Sequence, residues 1–158
     1  MTEYRIDKSR IYAAGFSGGG MLAHALGCEM SDRFAAIASV AGVLFPKLTC
    51  QPARPVSILE MHGTADNNVP YLGLPPDMPS TATTIQFWVT ENGCPGSPTQ
   101  TVSGITTTSI WVGCRGGTVV RLDTVNGGHH QWFGSGLNPV PGEPNSTAEI
   151  WRFFSNSA

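Results

Sequence analysis

Residues 11–26, IYAAGFSGGGMLAHAL, hold the feature that most restricts this chain: a serine set among glycines where one hydrophobic pattern gives way to another. Before Ser17, the unbroken apolar run Ile11 to Phe16 reads as a buried strand. After it, Met21, Leu22, Ala25 and Leu26 recur at helical spacing. A strand that turns directly into a helix crowds its own flanks. Gly15 and Gly19, two positions either side of Ser17, are expected to remove side chains that would strike the neighbouring strand and helix. The turn then lifts the serine hydroxyl above the strand end. It also sets the Gly18 N–H at a helix N-terminus, where partial positive charge collects. Strand, Gly-x-Ser-x-Gly, helix is the setting of a nucleophile elbow. A turn that merely packs would use the same glycines. A phosphate loop would end in Gly-Lys-Ser or Gly-Lys-Thr, which does not follow here.

The rest of the chain continues the alternation. Residues 34–43, FAAIASVAGV, form a second buried apolar run, and a third strand is expected near Val56 to Met61. Ser80 to Asn92 reads as a helix that Ser80 caps and Gly93 ends, with Ile85, Trp88 and Val89 inward. Residues 99–114 read as two short β segments with Gly104 in the bend, and residues 118–125, TVVRLDTV, as another strand. Ser146 and Glu149 have the spacing of a capping box for a last helix carrying Ile150, Trp151, Phe153 and Phe154. Leu72 to Pro79 and Gly134 to Pro144 read as surface loops. Apolar strands alternating with helices predict an α/β fold, with a mostly parallel sheet and helices on both faces. Residues 1–158 contain no repeat or linker and are expected to form one domain.

A serine hydroxyl needs a base to become a nucleophile, and the base needs an acid to orient it. In this setting the chain order is serine, then acid, then histidine, each beyond the C-terminal end of a strand. After the strand SILEM comes HGTADNNVPY, which offers Asp66. After TVVRLDTV comes NGGHHQWFG, which offers His129 and His130. Asp32, Asp77 and Asp123 fit less well: one precedes a strand, one lies in a proline-rich loop, and one is inside a strand. Asp66 could alternatively make only an Asx-turn, and the adjacent histidines could be a packing or metal pair. His62 and His24 read as packed structural histidines. Trp132 can be read as a substrate-stacking side chain or as core.

The 158 residues carry a net charge of −2, which gives no footprint for nucleic acid or a charged membrane. No stretch is apolar and long enough to span a bilayer, and the first residues do not read as a signal peptide. Charged residues are only 13%, about half the usual share, which suits an extracellular protein. The four cysteines lack the Cys-x-x-Cys spacing of a zinc ribbon. They allow four buried thiols or three disulfide connectivities. The preferred reading pairs sequence neighbours, Cys28 with Cys50 and Cys94 with Cys114. Each bridge would close a loop of roughly 20 residues, worth about 3 kcal/mol in the chain-entropy model. Such bridges persist in an oxidising compartment. Asn145-Ser-Thr is a glycosylation acceptor if a eukaryotic cell secretes the chain.

Three segments together, GFSGGGMLAHALGCEMSDRFAAIASVAG, HGTADNNVPY and NGGHHQWFG, resemble the α/β-hydrolase esterases of the polyhydroxybutyrate depolymerase, feruloyl esterase and acetylxylan esterase group, secreted feruloyl esterases above all. The resemblance runs from about Tyr4 to Phe154. It implies Ser17 as nucleophile, Gly18 as an oxyanion donor, Asp66 as the triad acid and a histidine in a Gly-His-x-Trp-Pro-Gly pattern. Anchoring on Trp132 and Gly134 puts that histidine at His130, with His129 where the family has glycine and Phe133 where it has proline. The resemblance also supports the Cys94–Cys114 pairing. It implies no cofactor and no metal, and a small-molecule or polymer-linked ester as substrate.

In that family several strands precede the elbow, and the loop after one of them supplies a second oxyanion N–H. Here the elbow strand comes first, so the chain is expected to correspond to the C-terminal part of the fold. Two function classes follow: an active ester hydrolase, or a weakly active or non-catalytic module that binds a partner. The elbow strand carries no Lys, Pro or bulge to blunt a free edge, which predicts a homo-oligomer paired along it.

Overall fold

The innermost strand segments are built mostly from small and aliphatic residues, and the computed structural model, which describes residues 5–45, 49–137 and 139–157, shows why. The strands are β1 (Tyr12–Phe16), β2 (Ala36–Val40), β3 (Ser57–Gly63), β4 (Thr99–Ser103), β5 (Thr106–Trp111) and β6 (Val120–Val125). They form one sheet in the order β1-β2-β3-β6-β5-β4. β1, β2, β3 and β6 are parallel, while β5 and β4 return as an antiparallel hairpin at the far edge. Every residue of β2 and β3 is buried, because these central strands are covered on both faces.

Alternate residues feed two cores. On one face Ile37, Ile58, Val120 and Leu122 meet helices α1 (Gly18–Glu29) and α2 (Thr81–Glu91) through Ala23, Ile85, Trp88 and Val89. On the other, Ala38, Val40, Leu59, Met61 and Val125 meet α3 (Ser146–Ser155) through Ile150, Phe153 and Phe154. β1 is an edge strand among the described residues, with Ala14 and Phe16 exposed along it. β4 is exposed throughout and polar at four of its five positions, as suits an edge. No helix of the described residues is long and apolar enough to cross a membrane.

Two disulfides, Cys28–Cys50 and Cys94–Cys114, tie the C-terminal ends of α1 and α2 to neighbouring loops. Ser80 caps α2 by accepting from the Thr83 N–H. The capping box expected at α3 is not made. Asn145 is the cap and accepts from the Ala148 N–H, one residue earlier than the sequence suggests. Ser146 is instead buried at the first helical position, where its N–H donates to the Phe133 carbonyl. Glu149 turns away from the helix end to pair with Arg121 and Arg152.

Candidate active site

Three strand ends converge at the C-terminal edge of the parallel sheet. β1 delivers Ser17, whose backbone lies at φ 55° and ψ −119°. A non-glycine residue at positive φ is strained, and here the surrounding packing enforces it. A Cβ on Gly15 would lie 2.1 Å from the Gly19 carbonyl oxygen, so only glycine fits before the turn. The expected collision at Gly19 is absent: a Cβ there would meet nothing within 4 Å. The second tight position is Gly20, where a Cβ would come 2.6 Å from Ser39 Oγ on β2. The close approach is therefore between α1 and β2, one residue later than the motif suggests.

β3 delivers Asp66. Its Oδ1 accepts from the N–H groups of Asn68 and Val69, both at 2.9 Å. The Asx-turn and the acid are thus one residue: the turn occupies one oxygen and presents the other. β6 delivers the histidine loop, which passes close enough to β3 that a Cβ on Gly63 would lie 2.1 Å from the Gly128 carbonyl oxygen. His130 Nδ1 is 2.8 Å from Asp66 Oδ2, and its Nε2 is 2.9 Å from Ser17 Oγ. An ionised carboxylate only accepts, so Nδ1 carries the hydrogen and Nε2 is free to accept from the hydroxyl. His129 is exposed, with its Nδ1 3.3 Å from the Ala65 carbonyl. Of the two histidines, His130 is the one that meets both partners. Burial alone would push the Asp66 carboxyl up, but the close contact with His62 and hydrogen bonds from His130 and the N–H groups of Val69 and Asn68 outweigh it and hold it down to about 2. The acid is ionised at any pH at which a histidine base could act.

A chain with four parallel strands, a strained serine between strand and helix, and an aspartate and histidine at two further strand ends invites comparison with known proteins. The family model described as phospholipase/carboxylesterase matches residues 1–74. Among solved structures, an acetyl xylan esterase from Aspergillus awamori superposes with a TM-score of 0.67 at 15% identity, covering 96% of this chain and 61% of that one. The chain has the α/β-hydrolase fold. By sequence, it is 38% identical over 137 residues to feruloyl esterase B of Piromyces equi, covering 79% of this chain and 25% of that protein. It is 34% identical over 152 residues to the putative esterase NocK of Nocardia uniformis subsp. tsuyamanensis, covering 82% of this chain and 44% of that protein. It therefore spans less than half the length of either relative.

Within this fold, Trp132 is half-buried against the α3-face core, and its indole N–H donates to Thr147 Oγ1 at 3.0 Å. Of its two readings, this geometry favours core. The aromatic that does border the site is Phe16, 36% exposed, with its ring centroid 4.8 Å from that of His130. Sequence reasoning passed over it, although it is the variable position immediately before the serine. Glu60 was also missed. It is a carboxylate buried inside β3, and nothing in an apolar run signals which partners wait for it. The grooves beside α2, one of them lined by Tyr71, Ile85, Trp111 and Thr124, do not reach Ser17, Asp66 or His130.

Proposed function

We propose that this chain carries the catalytic centre of a serine carboxylic ester hydrolase, with Ser17 as nucleophile, His130 as general base and Asp66 as the acid that orients it. One observation carries the reading: the unbroken line from Asp66 Oδ2 through both His130 nitrogens to Ser17 Oγ, at 2.8 and 2.9 Å. As Ser17 Oγ attacks the ester carbonyl carbon, its proton passes to His130 Nε2. Asp66 stabilises the resulting imidazolium. The carbonyl oxygen gains negative charge and accepts from the Gly18 N–H at the start of α1. Collapse of the tetrahedral species expels the alcohol, which takes the proton from His130. Water, deprotonated by the same nitrogen, then releases the acid and restores Ser17.

The names of a relative and of a structural neighbour support feruloyl or acetyl esters as the substrate class, and the resemblance in sequence adds short-chain hydroxyalkanoate esters, free or linked to a polymer. Two disulfides support an extracellular location, and one shared core on each sheet face supports a single domain. The exposed edge of β1 supports pairing of two copies along that strand. Light scattering on a sizing column is expected to give about twice 16.7 kDa, and a monodisperse monomer would refute the pairing. The principal test is hydrolysis of p-nitrophenyl acetate. Ser17→Ala and His130→Ala are expected to lose roughly three or more orders of magnitude in kcat/KM, and His129→Ala far less. Full activity in Ser17→Ala would sink the nucleophile assignment. An inert wild-type chain would favour the alternative, a module that binds rather than turns over.

A further inference from the structure

Behind Asp66 a line of buried polar groups continues into the α1 and α2 face. His24 on α1 and Glu60 and His62 on β3 are all fully buried. Trp88 Nε1 donates to His24 Nδ1 at 3.0 Å. An indole N–H only donates, so His24 carries its hydrogen on Nε2. That nitrogen is 3.1 Å from Glu60 Oε2, to which it donates. The other oxygen, Glu60 Oε1, is 3.0 Å from His62 Nδ1. His62 Nε2 is 2.8 Å from the Val69 carbonyl oxygen, which only accepts. The same nitrogen lies 3.5 Å from Asp66 Oδ2, a contact of charge rather than a second full hydrogen bond. Both ring nitrogens of His62 thus face acceptors, and it lies between two carboxylates.

We infer that His62 is a positioning residue for the reaction: a buried imidazolium, held by Glu60 and the Val69 carbonyl, that shares Asp66 Oδ2 with His130 and limits how firmly Asp66 can hold a proton on His130. The inference rests on the reading of His130 as base. Burial would push the His62 imidazole down, but the close contact with Asp66 and the hydrogen bond and charge of Glu60 outweigh it and raise it to about 10. Among the described residues no other charged partner faces it. α1 contributes His24 and the loop after β3 contributes Asp66 and Tyr71, whose ring meets His62 edge-on. The loop after β6 contributes His130, while α2 presents the uncharged Trp88. Arg121, Asp123 and Glu149 lie on the opposite face, in step with Val125 and α3.

The consequence concerns acid conditions. With His62 neutral, Asp66 would offer its full charge to a second proton on His130 Nε2, and the base would be blocked in mild acid. With His62 charged, two cations would have to share one carboxylate oxygen. The fixed cation therefore keeps Nε2 bare to lower pH.

Two measurements on the intact protein decide it. In the wild type, long-range proton–nitrogen correlation on ¹⁵N-histidine-labelled protein at pH 7 is expected to show both His62 nitrogens protonated. One bare nitrogen on His62 overturns the inference, and this arm needs neither a variant nor activity. In His62→Gln, the side-chain amide can still donate to Val69 but brings no charge. The acid limb of kcat/KM for p-nitrophenyl acetate is expected to move up by about one pH unit, a roughly tenfold loss on that limb relative to its own plateau. A limb that stays in place while activity or stability falls would mark His62 as merely structural. If Ser17→Ala is inert and the limb does not move, only this inference fails. If Ser17→Ala is active, the esterase reading fails with it.

Discussion

The two faces of the sheet each carry a four-membered group of charged or titratable side chains, and they are built on opposite terms. Beneath α1 and α2 the line His24, Glu60, His62, Asp66 is closed to solvent, with side-chain exposures of 0%. Beside α3 the group Asp123, Arg121, Glu149, Arg152 runs outward, from 1% at Asp123 through 18% and 21% to 66%. Toward the outer end of that group, at Arg152 and Glu149, water can replace a partner that leaves. In the inner group nothing can, so each member depends on its neighbour to offset the cost of dehydration. The difference teaches where the molecule has committed charge to purpose. The inner group ends on the serine hydroxyl and the outer one ends in solvent.

The sharpest way to break the comparison is Glu60→Ala. It leaves the donors on His24 and His62 facing a void and is expected to cost about 3–5 kcal/mol, measured as a lowered midpoint of chemical denaturation. A loss below about 1 kcal/mol would mean that the buried group tolerates vacancy as well as the surface one does. An intermediate effect is expected from pH. His62 binds its proton more tightly folded, at about 10, than an unfolded histidine does at about 6.5. Its contribution to stability is complete below about pH 6.5 and is lost as pH rises toward 10. Stability is therefore expected to fall by up to about 1.4 kcal/mol per pH unit between pH 7 and 9, a slope that His62→Gln abolishes. Asp66 acts at the other end, its contribution present above about pH 4 and lost as pH falls through 2. The smallest effect belongs to the outer group. Arg152→Ala is expected to change stability by no more than about 0.5 kcal/mol. A larger change would show that exposure is a poor guide to the worth of an ion pair in this protein.

The framework of the fold and of the candidate site is legible in the residues. The elbow, the order serine–aspartate–histidine and the placement of each beyond a strand follow from local pattern, and the parallel sheet follows from the alternation. What could not be read are matters of convergence. Glu60 looks like the outward member of an alternating strand until His24, 36 residues earlier, folds onto it. Asn145 and Ser146 are equally good caps on paper, and only the burial of Ser146 beneath Phe133 decides between them. Gly19 fills the motif yet faces open space, while Gly20 outside it is held by Ser39. Each of these depends on a neighbour distant in sequence.

The disulfides divide the molecule in a way that bears on how such a chain could diversify. Cys28 lies in the last turn of α1 and Cys94 follows α2, Cys50 precedes β3 and Cys114 follows β5, so both bridges close the edge of the sheet opposite Ser17. The covalent frame is set at one end and leaves the other unclasped. Turns at that end away from Asp66 and His130, such as residues 72–79, can therefore be lengthened, shortened or exchanged without breaking or re-pairing a cysteine. A lineage could try new surfaces there on a base whose oxidative assembly stays the same.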